Sequence, residues 1–216
     1  MKVIAVISQK GGSGKTTLAS NLGVAAQQAG SRTAIVDTDP QQSVRFWGDK
    51  RPNDGPGPEV LGDHAKRLPR IIETAADAGF DVLVIDTQPR DSGDALLACK
   101  VADIILIPCR PAAYDLHAIA DTLGTTKEAR KPAFVVLNSA PIRSAMVDQA
   151  REYLEGQGAA VAPVIVRQRV AFSHSVLVGQ TALEFEPDGK AAEEINELWA
   201  WVCAQLGLEP VTRKAA

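Results

Sequence analysis

The segment from Lys10 to Thr17, KGGSGKTT, constrains this chain more than any other stretch. An apolar run, Val3 to Ile7, precedes it, and a helical pattern begins near Lys15. A strand, a glycine turn and a helix N-terminus in that order aim unpaired backbone N–H groups and a helix dipole at one point. Gly11, Gly12 and Gly14 tolerate positive φ and let an anion approach the backbone closely. The loop therefore reads as a phosphate cradle. Lys15 is placed to reach β- and γ-phosphates, and the Thr16 hydroxyl to ligate Mg²⁺.

With 216 residues, 45% of them apolar and 23% charged, the chain has the make-up of a globular domain with a three-layer core. One domain is expected over residues 1–206, followed by a flexible tail, 207–216. No apolar run reaches the roughly 18 residues of a membrane-spanning helix. Strand residues begin almost at once, so no signal peptide or appended helix-turn-helix is expected. Cys99, Cys109 and Cys203 lack C-x-x-C spacing and read as reduced, buried thiols of a cytoplasmic protein. The net charge of −3 advertises no basic field, so any DNA contact needs a local patch. His64, His117 and His174 share no ligand spacing.

Short β-branched runs alternate with helical patterns. Strands are predicted at Lys2–Ser8, Arg32–Asp37, Asp81–Asp86, Asp103–Pro108, Ala133–Asn138 and about Val161–Val166. Helices are predicted at Lys15–Ala29, Gln42–Asp49, Ala65–Ala78, Ser92–Val101, Asp115–Ala129, Ala145–Glu155 and about Gly189–Leu206. Arg51–Pro58, RPNDGPGP, reads as a surface loop. The alternation implies an α/β fold, a three-layer, doubly wound, mostly parallel sheet that binds ligands at its carboxyl edge.

At that edge Asp37 and Asp39 end a strand within VDTDPQ, and Asp86 ends another within VLVID. Carboxylates there can hold Mg²⁺, directly or through water, and orient an attacking water, or they can cap the helix that follows. The loop itself departs from the general G-x-x-x-x-G-K-[ST] pattern. Gln9 stands where the first glycine belongs, and a second lysine, Lys10, lies inside. KGGxGKT[ST] resembles the deviant Walker A P-loop of the MinD/ParA ATPase superfamily.

That resemblance implies an ATPase using ATP and Mg²⁺, slow without a partner. Lys10 is then expected to cross a homodimer interface to the partner's nucleotide. It implies Lys10, Lys15 and Asp39 as catalytic residues, with Asp39 tied to hydrolysis through D-x-D-P-Q. Nucleotide binding falls to Lys10, Gly11, Gly12, Ser13, Gly14, Lys15, Thr16 and Thr17. Thr16, Asp37 and Asp86 are expected in the metal shell. Asn138 ends FVVLN, where the family contacts adenine; local capping is the other reading.

The likeness extends over about residues 1–205 and is similar to small plasmid-partition ParA proteins of the ParF type. VDTDPQQSVRFW, IPCRPAAYDL and RQRVAFSHSVLVGQTALE carry it. It implies a cytoplasmic, nucleoid-associated dimer that binds non-specific duplex DNA when ATP is bound. A ParB-like or ParG-like centromere-binding protein would then stimulate hydrolysis. Arg167 and Arg169 are the first DNA-contact candidates, Arg143 and Arg151 the next. Related ATPases position a protein cargo instead. A MinD-like membrane switch would need a basic amphipathic C-terminal helix, which GLEPVTRKAA lacks. An iron–sulfur reading would rest on Cys99 and Cys109.

Overall fold

The structure, a computed structural model, describes residues 1–51, 57–89 and 92–208. A six-stranded sheet is built from β1 (Lys2–Val6), β2 (Thr33–Asp37), β3 (Glu59–Gly62), β4 (Val82–Asp86), β5 (Ile104–Cys109) and β6 (Ala133–Leu137), in the order β3-β2-β4-β1-β5-β6. Every neighbouring pair is parallel. After β1 the chain builds toward one edge through β2 and β3. It later crosses to the other side for β5 and β6, so the order reverses at β1. Ligand crevices open at such a reversal.

The strands are apolar on both faces because both faces are covered. Ile4, Val6, Val82, Val84, Ile104 and Leu106 join one buried cluster with α1 (Lys15–Gln28) and α9 (Lys190–Leu206). Their alternates Val3, Ala5, Leu83, Ile85, Ile105 and Ile107 join another. That second cluster packs against α3 (Leu68–Asp77), α4 (Ser92–Val101), α5 (Ala113–Ala129) and α6 (Met146–Gly156). Gly23 sits mid-helix in α1. A Cβ there would lie 2.5 Å from Ile35 Cδ1, so its absence lets α1 settle close on β2.

The predicted elements are present with three corrections. Val161–Val166 is not a strand. The segment runs beside β6 with isolated bridges only, Val135 to Val161 and Ala140 to Arg167, and Pro163 within it has no N–H to donate. The sixth strand is instead β3, a short edge strand that starts directly after the predicted loop 51–58. Residues 52–56 of that loop lie outside the described residues. Beyond the bridge segment come α7 (Val170–Leu177) and α8 (Ala182–Phe185), which the helical patterning did not single out. Between β2 and β3 lies α2 (Ser43–Asp49). The predicted helix 65–78 divides into a 3-10 turn, Ala65–Arg67, and α3, with Pro69 in the first helical turn. Of the predicted tail, residues 209–216 lie outside the described residues.

Candidate nucleotide site

The loop that leaves β1 wraps onto the head of α1. Gly12 and Gly14 take φ of 73° and 95°, the left-handed region that side chains disfavour. Gly14 is also the N-cap of α1, so the first free N–H groups of that helix face the loop's mouth. A Cβ on Gly14 would lie 2.1 Å from the Asn138 amide nitrogen. That amide donates a 2.7 Å hydrogen bond to the Ser13 carbonyl. Asn138 therefore braces the loop from β6's end and is 3% exposed.

Asp37 and Asp86 are register partners on β2 and β4, and Val6 at the end of β1 pairs with the same Asp86. Both carboxylates are 1% exposed, yet they are satisfied differently. One Asp37 oxygen accepts the Asp39 N–H at 3.0 Å; the other accepts Val44 N–H at 2.8 Å and Arg45 N–H at 3.2 Å. It caps the head of α2 through these backbone donors. Asp86 accepts the Thr16 hydroxyl at 2.7 Å on one oxygen, while its other oxygen is buried with no hydrogen-bond partner. An orphaned carboxylate oxygen beside a threonine hydroxyl is a donor set that suits a hard divalent cation. Thr16 and Asp86 are thus the residues that fit Mg²⁺, which on binding with ATP neutralises charge on the phosphoryl oxygens.

Burial pushes the Asp86 carboxyl up to about 7, with the Thr16 hydrogen bond opposing and Asp37 adding repulsion. Lys15 is 7% exposed; burial lowers its pKa, against the attraction of Asp86 and Asp39. A buried ammonium beside these carboxylates is an electrostatic acceptor for an incoming phosphate. Asp39, half-buried, accepts the Gln41 N–H at 2.9 Å.

Lys10 Nζ pairs with Asp115 Oδ2 of α5 at 2.9 Å. Gln9 is held to the same helix, its N–H on Thr122 Oγ1 and its amide on Thr125 Oγ1. Arg110, just past β5, donates to the Gly12 carbonyl. Arg110 carried no sequence signal beyond its place in IPCRPAAYDL. Gln88 donates to Asp94 Oδ2 at 2.9 Å.

Three of the candidate DNA arginines are engaged within the chain. Arg169 makes two hydrogen bonds to Glu194 Oε1, at 3.1 and 2.6 Å, and the Arg167 guanidinium donates to the Pro141 carbonyl at 2.7 Å. Arg151 donates to the Ala162 carbonyl. All three cysteines are buried free thiols, and no cluster of metal-ligating side chains occurs among the described residues. No helix among them is long and apolar enough to cross a membrane.

Comparison with known proteins agrees with this geometry. Maintenance of carboxysome distribution protein A of Halothiobacillus neapolitanus is 32% identical over 206 residues, covering 90% of this chain and 93% of that protein. The chromosome-partitioning ATPase Soj of Thermus thermophilus is 25% identical over 238 residues, covering 94% and 96%. Among solved structures, the cell division ATPase MinD of Pyrococcus furiosus superposes with a TM-score of 0.77 at 21% identity, covering 93% of this chain and 98% of that one. The model of the CobQ/CobB/MinD/ParA nucleotide binding domain matches residues 4–182. With its glycine loop, buried lysine and Thr16–Asp86 pair in the places an ATP–Mg²⁺ ATPase needs them, the chain belongs to the CobQ/CobB/MinD/ParA nucleotide-binding family.

Proposed function

We propose that this protein is a cytoplasmic ATPase that dimerises around ATP and positions a protein cargo, using the nucleoid as its track. The observation that carries the reading is the placement of Lys10. It is an extra lysine in the loop, on the rim of the nucleotide site and outside the cradle that Lys15 serves. The relative named for carboxysome distribution aligns along nearly its whole length, which favours a proteinaceous cargo. On this reading one copy contributes Lys10 to the other's phosphates, Lys15 and Thr16 hold the triphosphate and metal within the chain, and Asp39 orients the attacking water. Residues 1–206 act as one ATPase domain.

The second reading is DNA partition, for which the likeness to the Soj ATPase speaks. There a ParB-like or ParG-like protein would be the stimulating partner and a plasmid or chromosome the cargo. Both readings share ATP-dependent binding of arbitrary duplex DNA. Arg167 and Arg169 would serve that contact with the guanidinium N–H groups not engaged by Pro141 and Glu194.

Phosphate release measured with and without DNA and the product of the neighbouring gene tests the reading. Stimulation that requires both supports a partner-driven positioning cycle. Unchanged turnover in every combination rules it out. A fluorescent copy tracked beside tagged plasmid and tagged protein assemblies separates the cargoes.

A further inference from the structure

A groove of about 530 Å³ opens at the β3 edge of the sheet, away from the glycine loop. On β3, Val60 faces α2, where it packs against Gly48. Leu61 turns to the opposite side and is 44% exposed there. With Ile71 and Phe80 it lines the apolar part of the groove. An edge strand with one apolar side chain uncovered, beside α3, leaves space where a doubly wound fold ordinarily lays another helix.

The rim carries three arginines and two carboxylates. Arg32 lies 4.1 Å above the Phe80 ring and pairs with Glu59 at 3.2 Å. Arg67 pairs with Asp63 at 3.5 Å. Arg70 is exposed and forms no ion pair among the described residues. The groove's two carboxylates are thus already matched, and the uncompensated charge is positive. Asp63 and Arg67 also wall the cleft that holds Asp39 and Gln42, and Asp63 N–H donates to the Asp37 carbonyl at 3.0 Å. An occupant of the groove would sit against the segment that supports the Asp39 loop.

We infer that this groove docks an amphipathic helix from a partner protein, apolar on one face and carboxylate-bearing along its flank. Charge complementarity selects that partner over a basic one. The probe is a synthetic helical peptide with leucines at i, i+3, i+4 and i+7 and glutamates beside them; its control carries lysines in place of the glutamates. Fluorescence anisotropy with the full chain and no nucleotide measures binding, so the outcome is independent of the proposed ATPase cycle.

The glutamate peptide is expected to bind at least about tenfold more tightly than its control. Arg70→Glu should reverse that preference, and Leu61→Asp should abolish binding; both positions are exposed, so neither change disturbs the core. Amide shift changes on binding should fall on Leu61, Ile71 and Phe80. Equal affinity for the two peptides, no binding of either, or binding that survives Leu61→Asp overturns the inference. So does self-association of the nucleotide-free chain that Leu61→Asp removes, since the occupant would then be a second copy.

Discussion

Lys10 Nζ lies 2.9 Å from Asp115 Oδ2, so the lysine proposed to serve a neighbouring subunit's nucleotide is tied, in the single chain, to its own α5. The lysine side chain keeps 35% of its exposure and the aspartate 12%. With the lysine end partly in water, the pair is worth on the order of 1 kcal/mol, little enough for a triphosphate to outcompete. Asp115→Asn should therefore strengthen ATP-dependent dimerisation by no more than about fivefold. Lys10→Ala should leave ATP binding intact and remove the dimer. Sedimentation velocity with a non-hydrolysable triphosphate and Mg²⁺ checks both. A Lys10→Ala chain that still dimerises and turns over ATP contradicts the trans role.

The loop and Asn138 are fitted to each other. Gly14→Ala places a Cβ in the left-handed region and against the Asn138 amide at 2.1 Å. Loss of ATP binding and about 1–3 kcal/mol of stability are expected. Asn138→Ala removes the brace on the Ser13 carbonyl and should cost about 1–2 kcal/mol, with weaker ATP binding. Urea unfolding and fluorescent-nucleotide titration read the two effects. If Asn138→Ala alters selection between ATP and GTP instead, its amide reads the base.

Asp37 and Asp39 should separate in their effects. Asp37→Ala strips the cap from Val44 N–H and Arg45 N–H and is expected to destabilise by about 1–2 kcal/mol. Asp39→Asn should leave the melting temperature nearly unchanged and lower turnover by about 10²-fold or more. Calorimetry beside phosphate release distinguishes them. Equal destabilisation by both changes would place Asp39 in the scaffold.

The Asp86 carboxyl, pushed up to about 7 by burial, links stability to pH. The folded chain holds this proton more tightly than the unfolded one, whose aspartates titrate near about 4. Its contribution to stability should be full below about 4, fall as pH rises toward about 7, and stay level above that. Mg²⁺ binding needs the ionised form, so metal affinity should rise across the same upper range with release of a proton. Denaturation midpoints without metal should show a falling component that Asp86→Asn removes. Mg²⁺ titrations at several pH values read the opposite slope.

Burial pushes the Cys99 and Cys109 thiols up to about 12. At neutral pH they should resist thiol reagents in the native state and react only after unfolding. Rapid modification of either one would contradict its place in the core.

The glycine loop, its lysines and the strand–helix alternation were legible in the order of residues alone. Each depends on neighbours in sequence: glycines set the turn, Lys-Thr opens the helix, and β-branched runs take strand geometry wherever both faces are covered. The same local logic misjudged residues 161–166, where VAPVIV has the composition of a strand but Pro163 lacks the N–H a ladder needs. It also passed over β3, whose EVLG is too short to carry a period and becomes a strand only because β2 offers it a partner. The roles of the aspartates divide in the same way. Asp37 and Asp86 both end apolar strands and look equivalent in the chain. One is surrounded by three backbone N–H groups and the other keeps a bare buried oxygen. Which carboxylate keeps an unsatisfied oxygen depends on where α2 begins relative to β2, and which acid holds Lys10 depends on α5 packing past the loop. Those distances arise from packing between elements far apart in sequence, so only the folded chain decides them.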